Sequence, residues 1–208
     1  MPSLELLAAF AAATLLFAFF PGPALLYTAA QTLARGRRAG LMAVLGIHTG
    51  CYAHVLAATL GLSAVLTHVP EAYLALKLAG AVYLCWMGVQ MIRSKAEGAA
   101  APQVAVKSAR RAFVESVLVE LLNPKAALFF VAFLPQFVDP AAGLPVWAQF
   151  LILGVVVNLT FSFADIVTVF AASTITGRLR RSGRAMRAVR YLGGSVLVAL
   201  GARLAMER

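Results

Sequence analysis

Six stretches of this chain, at about 4–30, 41–66, 72–92, 112–136, 146–172 and 189–206, are apolar and long. Crossing the roughly 30 Å hydrocarbon core of a bilayer takes about 20 helical residues, so each can span it. Of the 208 residues 62% are hydrophobic and only 12% charged, against roughly 45–50% and 25% in a soluble domain. These features predict an all-α integral membrane protein with six transmembrane helices. The first stretch has no basic leader before it, begins its charges with Glu5, and runs into Pro-Gly-Pro instead of a small-residue cleavage site. It therefore reads as a retained span and not as a signal peptide.

The net charge of +10 does not point to nucleic acid, because the basic residues fall in short runs between apolar segments, with no basic face carrying interleaved aromatics. Three, five and six of them lie in the first, third and fifth loops, 14 of the chain's 18. The positive-inside rule then puts loops 1, 3 and 5 in the cytoplasm and both termini outside. Loop three, from Ser94 to Ala112, adds Gly98, a run of alanines and Pro102 to its charges, and reads as a flexible linker. The expected organisation is one transporter domain, 1–208, made of a first repeat at 1–93, a cytoplasmic linker at 94–112 and a second repeat at 113–208.

The repeat is visible in the third and sixth spans. Lys77 to Gly88 aligns without gaps on Arg190 to Gly201, a basic start followed by Gly-x3-Leu-x3-Gly in both. With three spans per half, the second copy is inverted relative to the first, the plan of many secondary transporters whose binding sites lie at the repeat interface. The bland alternative is that small residues recur in all membrane helices. Gly46 and Gly50 are spaced for close helix packing. Cys51 and Cys85 lie inside apolar segments and read as small packing residues.

Helices 1 and 4 are expected to be broken. Pro21-Gly22-Pro23 interrupts the first span and Asn123-Pro124-Lys125 the fourth. Proline removes backbone donors and glycine loosens the chain, and irregular backbone at membrane depth is tolerated only against protein or a water-filled cavity. Breaks at matching positions in two halves point to a transport site. The half-helix that restarts near Ala24 presents free N–H groups and a positive dipole end, suited to a carboxylate. A structural kink is the alternative. Tyr27 and Gln31, one turn apart on the same face, either line the cavity or, for Tyr27, anchor the helix at the interface.

Asn123 is placed to cap the half-helix that Pro124 begins. Lys125, near mid-span, costs at least about 2.5–3.5 kcal/mol on insertion scales and therefore needs an interior partner. It is either a ligand for a substrate carboxylate, together with the two half-helix N-termini, or a structural partner of Glu120. Asp165 lies inside the fifth span with Asn158 and Ser162 on the same helix face. An intramembrane carboxylate receives a substrate ammonium, carries a coupling proton, or forms a salt bridge to Lys125; Glu120 competes for the same role. His48 and His54 are six positions apart, about 240° around a helix, which excludes a metal pair. His48 either takes part in proton movement or, more in keeping with such residues, is a hydrogen-bonded packing histidine.

No Gly-rich phosphate loop, His-Glu-x-x-His or Gly-x-Ser-x-Gly is present. The expectation is a chain that is not an enzyme, holds no cofactor or metal, and draws energy from an ion gradient or a partner. A non-transporting assembly or regulatory subunit is the other class, in which Lys125 and Asp165 would be structural.

Phe20-Pro21-Gly22-Pro23, Gly36 and Gly40 in an Arg-rich turn, the Lys77–Gly88 segment, and Asn123-Pro124-Lys125 followed by Phe129, Phe130, Pro135 and Phe137 together resemble the LysE/RhtB amino-acid exporters over nearly the whole chain. The resemblance implies a bacterial inner-membrane exporter of amino acids or close derivatives, exchanging substrate for protons. Neutral substrates such as homoserine or threonine are expected ahead of basic ones, since a basic one would want more carboxylates than Asp165 and Glu120 provide and Lys125 would repel it. It implies that Pro21, Gly22, Pro23, Asn123, Pro124 and Lys125 form the binding elements. Glu115 and Glu120 depart from the small or apolar residues expected there. The expected partners are an amino-acid substrate, protons, the lipid bilayer and, as an open alternative to a monomer, a second copy in a homodimer.

Overall fold

The computed structural model describes residues 4–69 and 109–178 continuously, with scattered helical positions within 75–93 and 191–206. Most of the third and sixth spans, the third loop, the fifth loop and the aligned Lys77–Gly88 and Arg190–Gly201 segments lie outside the described residues. Those described are all-helical, without strands. In chain order they form α1 (Leu4–Ala18), α2 (Pro23–Arg35), α3 (Arg37–Ala57), a π-helical turn (Ala58–Leu62), α4 (Ser63–His68), α5 (Ala109–Leu121), α6 (Pro124–Ala132), a 3-10 turn (Leu134–Phe137) and α7 (Val146–Arg178).

Among the described residues, two helices are long and apolar enough to cross a membrane, Arg37–Val65 and Val146–Ala172. Two bent pairs bring the number to four if each pair is one span: Leu7–Ala18 with Pro23–Arg35, bent by 46°, and Arg111–Leu121 with Pro124–Phe137, bent by 44°. Both bends fall at the prolines that the sequence singles out. Physically, Pro23 and Pro124 each occupy a first-turn position, where the missing N–H is no loss and the preceding residue is pushed to extended backbone. The connection between α2 and α3 is shorter than the sequence suggests. Gly36 alone, at φ 84° and ψ 174°, reverses the chain, a conformation open essentially to glycine.

The core is organised on α3, whose buried residues Gly40, Ala43, Val44, Ile47, His48, Cys51 and Val55 recur at helical spacing. A Cβ on Gly46 would stand 2.6 Å from the Phe113 carbonyl oxygen, and one on Gly50 would stand 2.8 Å from that of Val117. These two glycines let α3 and α5 meet backbone to backbone, as their spacing anticipates. Cys51 is free and fully buried in this core.

The same core runs on to α1, α6 and, through Phe161 at 5.9 Å from Phe17, α7 by way of aromatic rings. Phe17 stacks on Phe129 at 4.2 Å, Phe129 on Phe133 at 4.3 Å, and Phe10 meets the edge of Phe137 at 5.1 Å. The outer faces are equally apolar, with Leu60 70% and Leu122 79% exposed. The exposed Thr49 and Thr160 hydroxyls donate back to carbonyls four residues earlier, which satisfies them without water.

Candidate functional site

Each break leaves carbonyls at the end of one half-helix and N–H groups at the start of the next. In the first, α1 stops at Ala18, Gly22 is the N-cap in extended conformation and Pro23 opens α2. Because Pro23 has no N–H, the donors of this turn without an intrahelical acceptor are those of Ala24 and Leu25. In the second, Asn123 caps α6: its Oδ1 accepts from the Lys125 backbone N–H at 3.1 Å, as the sequence suggests. Its Nδ2 donates to Glu120 Oε2 at 2.8 Å, so one amide serves both sides of the break.

The exposed carbonyls are met by basic side chains from other elements. Lys125 Nζ donates to the Phe17 oxygen at 2.9 Å and the Phe20 oxygen at 2.6 Å. It also lies 4.4 Å from the Phe17 ring centroid and 5.9 Å from that of Phe161. A cation at the carboxyl end of α1 complements the helix dipole and gains from the ring faces. The interior partner of Lys125 is thus the broken end of α1, about a hundred residues earlier, and its ammonium ties the two breaks together. Gly22 makes this passage possible, since any Cβ there would collide with Lys125 Cδ. At the end of α5, His54 Nε2 donates to the Glu120 carbonyl oxygen at 2.9 Å. Sequence reasoning weighed His54 only as a metal ligand; the signal it overlooked is that a polar ring inside an apolar span must find an acceptor.

Asp165 pairs with His48 and not with Lys125. Its Oδ2 lies 2.9 Å from His48 Nε2, and the other ring nitrogen, Nδ1, lies 2.7 Å from Asn158 Oδ1. Asn158 Nδ2 in turn donates to the His48 carbonyl oxygen at 3.3 Å. His48, Asn158 and Asp165 are all buried, and Asp165 Oδ1 is buried without a hydrogen-bond partner among the described residues. Ser162, on the same face as expected, donates to the Asn158 carbonyl oxygen.

Gly22, Asn123, Lys125, Glu120, His48 and Asp165 converge on one cavity of about 30 Å³, completed by apolar groups that include Ala24, Leu25 and Phe161. The first half-helix contributes Ala24 and Leu25; Tyr27 and Gln31 lie elsewhere. Tyr27 borders a separate groove with Pro23, Glu115 and Leu122, and Gln31 is buried and accepts from Arg35 at 3.5 Å. The helical spacing of Tyr27 and Gln31 is correct, but the bend at Pro23 turns that face away from the cavity.

The double role of Asn123 has a measurable consequence. Asn123→Ala is expected to cost about 1 kcal/mol for the lost cap and about 1–3 kcal/mol for the partner removed from buried Glu120. Asn123→Asp restores the cap but sets a second carboxylate against Glu120, so thermal unfolding in detergent should show both variants destabilised. A full rescue by aspartate would reduce Asn123 to a helix cap.

The model of the LysE type translocator family matches residues 15–208. The chain is 31% identical over 196 residues to the homoserine/homoserine lactone efflux protein of Salmonella typhimurium, covering 93% of this chain and 92% of that one. It is 31% identical over 156 residues to the threonine efflux protein of Escherichia coli, covering 73% and 75% respectively. A membrane protein of Vibrio cholerae described as uncharacterised is 31% identical over 195 residues, covering 92% of each chain. No solved structure matches. With a family match over nearly its whole length, broken helices at the family-like motifs and apolar membrane-length helices around them, this chain belongs to the LysE type translocators.

Proposed function

We propose that this chain is a secondary-active exporter of small amino acids across the bacterial inner membrane, working in exchange for protons by alternating access. The observation that carries the reading is the convergence of both helix breaks and two buried carboxylates on one cavity. Such a site has complementary ends for a zwitterion. The first turns of α2 and α6 offer N–H groups and positive dipole ends to a carboxylate, while Asp165 and Glu120 offer charge or acceptors to an ammonium. Lys125, tied to the Phe17 and Phe20 carbonyls, is close enough to be drawn onto the substrate carboxylate and also disfavours a second positive charge on the substrate. Neutral amino acids such as homoserine or threonine, the compounds in the relatives' names, therefore fit ahead of basic ones.

The cavity has room for about a single water, so admitting an amino acid requires the helices to part. The two breaks are the places where the backbone can hinge. Two inverted three-span repeats, with basic loops 1, 3 and 5 cytoplasmic, supply the rocking halves. In support, Cys85 Sγ lies 3.6 Å from the Val198 carbonyl oxygen, and these are positions that the repeat alignment pairs with each other. Counterflow in liposomes tests the reading: exchange of L-threonine and L-homoserine is expected to exceed that of L-lysine at least about tenfold. Absence of exchange across a broad amino-acid panel would favour a non-transporting subunit.

A further inference from the structure

The ring of His48 has an acceptor on each side, and the local hydrogen bonds fix where its protons are. Asn158 Nδ2 donates to the His48 carbonyl oxygen, so turning the amide over would set its oxygen against that carbonyl. With Asn158 Oδ1 held toward the ring at 2.7 Å, and an amide oxygen able only to accept, Nδ1 carries a hydrogen. A neutral ring then presents the bare lone pair of Nε2 to Asp165 Oδ2 at 2.9 Å. Two lone pairs do not make that contact; a second proton lies between them. Whether it rests on Nε2 as imidazolium and carboxylate, or on Oδ2 as carboxylic acid and imidazole, the pair is neutral overall and holds one transferable proton.

We propose that His48 and Asp165 together form the proton-carrying site of the transport cycle, and that the proton and the substrate ammonium are alternative occupants of it. The proposal rests on the proton-coupled export reading and assigns its coupling to named atoms. When the pair gives its proton to water, it is left as an Nδ1–H imidazole beside a carboxylate, with one uncompensated negative charge. An ammonium matches that charge; reprotonation of the pair neutralises it and releases the ammonium. Asp165 Oδ1, buried without a partner on a residue that lines the cavity, is the acceptor through which this exchange proceeds.

The surroundings permit this. Glu120 from α5 and Lys125 from α6 share the cavity, but Asn123 engages the first and the Phe17 and Phe20 carbonyls the second. Cys51 follows His48 one turn along α3. From α1, the break after it and α2, the cavity receives, among the described residues, the uncharged Ala18, Gly22, Ala24 and Leu25. Asn158 is a positioning residue: by holding the hydrogen on Nδ1 it makes the proton-depleted pair repulsive at contact distance. Without that acceptor the ring can move its one hydrogen to Nε2 and donate it to the carboxylate, so the depleted pair becomes stable in place and empties at lower pH.

The full chain in detergent, with L-threonine as the probe, provides one test. Threonine binding by the wild-type protein, buffered where the pair is protonated, should release about one proton per chain, and its affinity should fall as the pH is lowered. In liposomes, Asn158→Leu should move the acid limb of the exchange-versus-pH profile toward lower pH by about one unit, a tenfold change in proton affinity. Asn158→Asp, which restores the acceptor and adds charge, should move it the other way, and Asp165→Asn should lose both exchange and proton flux. Threonine binding without proton release, an unshifted profile in Asn158→Leu, or coupled transport by Asp165→Asn would overturn the assignment while leaving amino-acid export standing. Net threonine transport by the wild-type protein without any proton movement would overturn the assignment and the proton-coupled reading together.

Discussion

Lys125→Met is expected to lower amino-acid exchange about 100-fold while the chain still folds and inserts. Two opposing magnitudes set the stability of the variant. Removing the ammonium strips charged hydrogen bonds from the Phe17 and Phe20 carbonyls, each worth about 1.5–3 kcal/mol. It also relieves the membrane of a cation that costs about 2.5–3.5 kcal/mol or more to insert. These largely offset, so unfolding should shift by only a few degrees. The geometry has no such compensation. Without the tether, α1 and α6 lose a side chain that bonds across both breaks, and misplacement by about 1 Å at a reacting or binding centre can cost roughly 100-fold. Lys125→Arg should not restore exchange, because the side chain passes over Gly22 with no spare room and a guanidinium is a broad planar fork. Undiminished exchange by correctly inserted Lys125→Met would remove the tether from the mechanism.

A second large effect is expected at Gly46. In Gly46→Leu the new Cβ would stand 2.6 Å from both the Phe113 carbonyl oxygen and Ser116 Cβ. The first of these is backbone, so α3 and α5 must separate. Overpacking of this kind costs about 1–3 kcal/mol even for a few atoms. The displacement also pulls His54 from the Glu120 carbonyl and Glu120 from the cavity. A loss of thermal stability of several degrees with loss of exchange is the expected outcome, measured beside Gly61→Ala. A Cβ at Gly61 meets nothing within 4 Å, and that variant should stay within about 0.5 kcal/mol of wild type. Equal behaviour of the two variants would show that the α3–α5 contact does not set stability.

Much of this arrangement is legible in the sequence wherever the cause is local. Pro21-Gly22-Pro23 and Asn123-Pro124-Lys125 break their helices because a missing N–H and a preceding extended residue act within one turn. The cap by Asn123 reaches only two residues ahead, and the close approach at Gly46 and Gly50 needs only the absence of side chains on one helix face. Helical spacing also put Asn158, Ser162 and Asp165 together. Tertiary structure decided the partners. Lys125 meets carbonyls 105 and 108 residues away, and Asp165 meets His48 117 residues away. Sequence reasoning offered Glu120 or Asp165 for the first and Lys125 for the second, since opposite charges at similar depth attract. The physical reason for the difference is that periodicity fixes which residues share a face but not the rotation and depth at which that face meets another helix. In an apolar surrounding a polar group takes the nearest partner it can reach: the carbonyls at the first break take the Lys125 ammonium, and the His48 ring takes the carboxylate.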